Sequence, residues 1–231
     1  MDTLGDVGSV ILGVLSALGR FSDRHPWSHN DAYAPWVLWH AHRIRRRGGS
    51  AALDVGCGTG NLLRILAAVL DEVTGIEPDG ATAAKARANT ARIRNAEMRE
   101  ELYDLEPLGQ PQYDLVTFVA VLHHLPLEQA LHAARSVLRP GGRLVIVGLA
   151  KETAADQPWS LTSAFLNAVV GVFRHPRRVR ATPENMTAPT AEPLETFEQI
   201  REAAQAVLPG VKIRRSLFWR YTAVWESPAA R

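Results

Sequence analysis

In LDVGCGTG, residues Leu53 to Gly60, three glycines occupy five positions directly after a short apolar run and directly before a helical pattern. Each glycine loses more conformational freedom on folding than another residue would, so this density marks a turn with unusual backbone angles or a main chain that something approaches closely. Strand, glycine turn and helix in that order form the first unit of a doubly wound α/β sheet. In such sheets ligands lie in the crevice beyond the carboxyl ends of the strands. The spacing is GxGxG rather than the GxGxxG that seats a pyrophosphate on a helix N-terminus, which makes a dinucleotide the less comfortable ligand.

From Ser50 the chain alternates strand and helix patterns. AALDV, EVTGIE, a short stretch near EMREEL, YDLVTFVAVL and RLVIVGL are strands, with helices NLLRILAAVL, ATAAKARANTARIRN and PLEQALHAARSVL between them. Near-continuous apolar strands in this rhythm call for a mostly parallel sheet covered by helices on both faces. A helix from about Leu194 to Leu208 and two closing strands, VKIRRSLF and RYTAVWES, complete seven strands, the last one predicted as an antiparallel edge strand. The expected class is therefore α/β, a Rossmann-like seven-stranded sheet with N-terminal helices and a helical insertion.

The 231 residues suit one domain. It divides into an N-terminal helical lid (1–47), a binding core (48–150), a cap insertion over the substrate (151–193) and a C-terminal helix with edge strands (194–231). The lid holds an amphipathic segment, Leu4–Leu18, and a helix from about Asp31 to Arg47 with Asn30 as N-cap. Asp2 and Asp6 stand where a secretory signal needs basic residues, and Leu4–Leu18 is too short to span a bilayer. A cytoplasmic protein without stable membrane insertion is expected, with the first helix able to pair two copies as a homodimer. The single cysteine, Cys57, excludes an internal disulfide. A net charge of +2 does not call for nucleic acid.

The glycine turn needs an acid at the end of the next strand, roughly twenty residues on, to accept hydrogen bonds from ribose hydroxyls. Glu77 ends EVTGIE, and Pro78 and Asp79 stop that strand and start the next helix. LDVGCGTG followed by GIEPD, YDLV and LRPGGRLVI resembles the class I S-adenosylmethionine-dependent methyltransferases, in order and spacing, from about Ala51 to Leu149. HNDAYAPW and LFWRYTAVWESP resemble a group of actinobacterial small-molecule members. The resemblance implies S-adenosyl-L-methionine as cofactor. It counts Asp54 among the cofactor-binding residues, places Gly56, Gly58 and Gly60 along the methionine moiety, Glu77 on the ribose and Pro78 on the adenine. Glu101, with Leu102 beside it, takes the position facing the adenine amino group, and Asp104 competes for it. Tyr33 resembles an aromatic that contacts the methionine carboxylate.

Methyl transfer is an in-line displacement in which positioning supplies most of the rate, so a dedicated base is optional. A histidine could take a proton from a hydroxyl or ammonium acceptor. His123 and His124 end YDLVTFVAVL, and since neighbours on a strand face opposite sides, one of them faces the acceptor; His123 is preferred, with His29 near the lid as a second candidate. His25, His29, His40 and His42 lack the dense spacing of a metal site, and none is expected. In the insertion, Trp159, Leu161, Phe165, Leu166 and Phe173 offer an apolar cover, whereas Arg174, His175, Arg177, Arg178 and Arg180 read as a solvated face, as do Arg214, Arg215 and Arg220. Together these residues point to methyl transfer to an O, N or C atom of a small molecule, in specialised metabolism. The other readings are a cofactor-binding scaffold or cyclase without methyl transfer, and a nicotinamide oxidoreductase, which the glycine spacing disfavours.

Overall fold

The computed structural model describes residues 29–106, 110–174 and 191–229; within 157–174 the side chains of 157, 158, 161, 168, 169 and 171–174 lie outside the description. The Leu4–Leu18 segment and the basic run from His175 to Arg180 also lie outside it, as do the side chains of Leu161, Phe173 and Arg174.

Strand β1 (Ala51–Val55) is buried at all five positions because it is covered on both faces. Leu53 and Val55 point into one apolar layer with Val116, Phe118, Leu144 and Ile146, while Ala52 points into the other with Leu115, Val145 and Val147. Its parallel neighbours are β2 (Glu72–Ile76) and β4 (Tyr113–Val119), with Leu53 opposite Thr74 and Val116. Beyond them lie β3 (Ala96–Arg99) and β5 (Leu138–Gly148), then β7 (Arg220–Glu226) and β6 (Lys212–Ser216), giving the order β3-β2-β1-β4-β5-β7-β6. The chain moves outward in one direction from β1 and in the other from β4, so the topological switch falls between these two strands.

The expected α/β, doubly wound sheet is present, with one correction. The last strand, β7, is antiparallel but not at the edge: it lies between β5 and β6, pairing antiparallel with both. Tyr221, Ala223 and Trp225 on it are buried and need neighbours, whereas β6, with the basic residues Lys212, Arg214 and Arg215, is partly exposed and suits an edge.

The described residues form six helices: α1 (Ala34–Arg46), α2 (Asn61–Ala67), α3 (Gly80–Thr90), α4 (Leu127–Val137), α5 (Gln157–Arg174) and α6 (Phe197–Val207). Helices α4 and α6 pack on the Leu53 face, and α1 and α2 on the Ala52 face. Helix α1 starts later than its pattern predicts. A 3-10 turn spans His29–Ala32, Tyr33 takes the cap position without a side-chain bond, and Pro35 stands in the first turn, where its missing N–H leaves no bond unmade. Asn30, expected to cap, instead accepts from Arg220. Asp79 caps α3 by accepting from the Thr82 N–H at 2.8 Å, and Thr196 and Gln199 form a capping box at the start of α6.

Candidate functional site

The carboxyl ends of β1, β2 and β4 open into a cleft of about 330 Å³ at the topological switch. Its floor is the loop from Asp54 to Thr59, and its walls come from Ile76–Asp79, Leu102 with Tyr103, Val119–Val121 with His124 and Leu125, and the Asn30–Val37 side of α1.

The three glycines do different things. Gly56 has φ +66°, and a Cβ there would overlap the side chain of Val121, just past β4, so its bareness is needed for that packing. Gly58, at φ +56°, has nothing within 4 Å of the place a Cβ would take; there the backbone is open to the cleft. Gly60 faces Ala86 and Thr90 of α3 and is not a cleft wall, contrary to the expectation that all three line the ligand.

Glu77 holds this loop. One carboxylate oxygen accepts from the Gly58 N–H at 3.0 Å and the other from the Asp79 N–H at 3.1 Å. A carboxylate has about four acceptor sites, so the group can still take two hydroxyls. Asp54 is 1 % exposed; its Oδ1 accepts from the Thr117 hydroxyl at 2.7 Å, and its buried Oδ2 has no partner. Burial, aided by the nearby Glu77 charge, raises its pKa from 3.8 to about 7. The Tyr103 hydroxyl is likewise buried without a partner, with its ring edge-on to Phe118. Two unsatisfied polar groups on the walls of one cleft are an exception to normal polar pairing that a polar ligand would remove. Burial also pushes the Cys57 thiol pKa upward, leaving it an inert space-filler beside Met98.

Asp54, Gly56, Gly58, Glu77, Pro78 and Leu102 are thus brought together as predicted, whereas Tyr33, Gly60, Glu101, His29 and His123 are not among the cleft walls. Tyr33 donates its hydroxyl to the Leu217 carbonyl at 2.6 Å, tying the start of α1 to the β6–β7 turn. Neither Glu101 nor Asp104 reaches the cleft: Glu101 is exposed and Asp104 accepts from the Glu106 N–H, while the residues between them, Leu102 and Tyr103, form the wall. His29 bonds Asn167 at 2.9 Å and stacks on Phe218. The preference for His123 over His124 reverses. Strand β4 stops at Val119, where Ala120 takes φ +56°, and both histidines lie in a 3-10 turn, Leu122–His124, so strand alternation does not apply to them. His124 lines the cleft. His123 is half-buried away from it, with its pKa lowered to about 4 by burial and by the His124 and Arg220 neighbours. Among the described residues no cluster of three or more His, Cys, Asp or Glu could hold a metal.

Among the walls missed from sequence, Leu62, Ile65, Val119–Val121 and Tyr103 carry no motif, while Asn30 and Asp31 fall in HNDAYAPW, which assigns them no ligand role. Ala120, a small residue inside the apolar run YDLVTFVAVL, is the one local signal. Arg220 was also misread. It is not on a solvated face: its guanidinium is gripped by Asn30 Oδ1 at 3.2 Å, and burial lowers its pKa to about 10.

A glycine loop at a sheet switch point, held by a carboxylate from the adjacent strand, defines a nucleoside-binding α/β protein. A model of the methyltransferase domain matches residues 53–146. An uncharacterized methyltransferase of Mycobacterium tuberculosis is 30% identical over 188 residues, covering 78% of this chain and 89% of that protein. A ubiquinone biosynthesis O-methyltransferase of Alkalilimnicola ehrlichii is 34% identical over 128 residues, covering 52% of this chain and 48% of that one. Among solved structures, the cyclase SpnF superposes with a TM-score of 0.59 at 17% identity, covering 87% of this chain and 82% of that one. The N-methyltransferase NodS of Bradyrhizobium japonicum gives 0.52 at 17%, covering 83% and 94%. The chain belongs to the class I S-adenosylmethionine-dependent methyltransferases, and S-adenosylmethionine is its cofactor. The cleft fits that molecule: the unpartnered Asp54 oxygen complements an ammonium, Glu77 has acceptor capacity for a diol, and the open side of Gly58 admits a ligand against the backbone. No helix among the described residues is long and apolar enough to cross a membrane.

Proposed function

We propose that the chain methylates an O, N or C atom of a small molecule in specialised metabolism. The observation that carries the site assignment is the cleft in which Gly58, Glu77 and the unsatisfied Asp54 oxygen meet. The cofactor supplies an electrophilic methyl group on a sulfonium. The chain's own residues orient it: Asp54 Oδ2 takes the α-ammonium, Glu77 the ribose hydroxyls, and Pro78, Leu102 and Tyr103 flank the adenine. Val119–Val121, at the end of β4, line the side on which the methyl is transferred and exclude water there. His124, on the same wall, is the side chain placed to accept a proton when the acceptor is a hydroxyl or ammonium.

In this reading 1–47 acts as a lid, 48–150 as the cofactor core and 151–193 as the acceptor cap. Incubation with S-adenosylmethionine and a panel of phenols, amines and carboxylic acids, monitored for S-adenosylhomocysteine, tests it. Acceptor-dependent product that falls in His124→Ala but not in His123→Ala supports the assignment. Product that depends on His123 and not on His124 contradicts it.

A further inference from the structure

Arg220 opens β7 at the carboxyl end of the sheet's parallel strands, next to the turn Leu217–Trp219. Among the described residues its bonds go to neutral groups and are long: Nε and Nη2 to Asn30 Oδ1 at 3.4 and 3.2 Å, and Nη1 to the Phe218 carbonyl at 3.4 Å. It makes no ion pair among the described residues, whereas the nearby Arg215 is paired with both Asp156 and Glu198. A guanidinium has five N–H donors. Three are engaged, leaving one on each terminal nitrogen, the pair that grips a carboxylate in parallel.

A largely buried charge with only neutral partners costs stability, and such charges are retained where function needs them. The turn beside it is strained in the same sense. Phe218 and Trp219 both hold positive φ, +57° and +55°, in the three-residue turn between the paired Ser216 and Arg220, a backbone region that glycine or asparagine takes at less cost. That turn is clamped by Tyr33 on Leu217 and by the Ser163 hydroxyl, which accepts from the Phe218 N–H at 2.8 Å. The clamped turn sets where Arg220 stands.

Arg220 lines a second, smaller cavity of about 40 Å³ with Trp159, Trp219, the ion-paired Arg215 and Asp156, and Glu152, which accepts from the Ser160 hydroxyl. Asn30, which holds the guanidinium, is itself a wall of the cofactor cleft. Asn30 lines the cleft and Arg220 the smaller cavity, so their contact lies between the two spaces. A cavity of this size takes a headgroup and no more.

We propose that Arg220 is the anchor for an oxyanion on the methyl acceptor, so that the acceptor is a small molecule carrying a carboxylate. The proposal rests on the methyltransferase reading, which already places an acceptor beside the cleft, and adds its charge. The aromatic groups around the turn, Trp159 and Trp219, suit a flat or apolar body attached to that carboxylate.

The test uses the full chain saturated with S-adenosylhomocysteine and two probes of equal shape, benzoate and neutral benzamide, titrated by calorimetry or ligand-observed NMR. Wild type is expected to bind benzoate at least tenfold more tightly than benzamide, with the preference shrinking as salt rises. In Arg220→Gln the preference disappears, and Arg220→Lys restores part of it, while affinity for S-adenosylhomocysteine is unchanged in both. Equal or undetectable binding of the two probes to wild type, which needs no variant to fold, overturns the proposal. So does a benzoate preference that survives Arg220→Gln. Failure of the chain to bind S-adenosylhomocysteine at all would instead count against the cofactor site, a separate readout of the same experiment.

Discussion

Asp54→Asn should make the protein more stable and a poorer cofactor binder at once. In the folded chain Asp54 is fully buried, with one oxygen bonded to Thr117 and the other unpartnered, and burial lifts its pKa from 3.8 to about 7. Because the folded state holds this proton more tightly than the unfolded state, stability falls as pH rises from about 4 to about 7 and stays low above that. A rise of this size corresponds to about 4 kcal/mol once the carboxylate is charged in both states. Asn keeps an oxygen for the Thr117 hydroxyl and carries no charge. The amide nitrogen is buried without a partner just as the protonated carboxyl is, so the gain at pH 8 should be about 2 to 4 kcal/mol, or roughly 5 to 15 °C in Tm. At pH 4 the two proteins should melt together. Affinity for S-adenosylhomocysteine should fall by about 1.5 to 3 kcal/mol, the value of a hydrogen bond to a charged group. Urea or thermal denaturation from pH 4 to 8, with calorimetric titration at pH 8, measures both. A variant less stable than wild type at pH 8, or a stability difference that does not change with pH, would refute the reasoning.

Gly58→Ala should lose about 1 to 2 kcal/mol of stability from its positive φ and at least tenfold in S-adenosylhomocysteine affinity, because the new methyl enters the cleft. Gly141→Ala, at φ +75° with equally open surroundings but away from the cleft, should show the first loss without the second when both are titrated. Gly148→Ala should destabilise by about 1 to 3 kcal/mol in urea, because a Cβ would run into the ring of Tyr221, which is buried and paired across β5 and β7 with no room to withdraw.

The sheet was legible because burial on both faces writes long apolar runs, and β1, β2, β4 and β5 appear close to where those runs lie. Element ends were less so. Helix α3 stops at Thr90 although its pattern continues to Asn95, whose amide turns back to bond the Ala67 and Leu70 carbonyls. Glu77 and Gly58 could be found because strand ends and positive φ restrict residue type. Gly60 and Gly56 carry the same letter for packing reasons that spacing cannot separate from ligand approach. His124 in place of His123, and Tyr103 in place of Glu101, depend on where β4 and β3 stop, which single-residue patterns do not fix. Arg220 could not be told from Arg214 or Arg215 in sequence, because the partner that sets it apart, Asn30, lies 190 positions away.

The most direct measurement is calorimetric titration of S-adenosylhomocysteine into wild type and Glu77→Ala at neutral pH. Glu77 both positions the Gly58 N–H and faces the cleft, so saturable one-to-one binding by wild type and a loss of about 1.5 kcal/mol or more in the variant are predicted. No binding by wild type, or equal dissociation constants for the two proteins, would contradict the account.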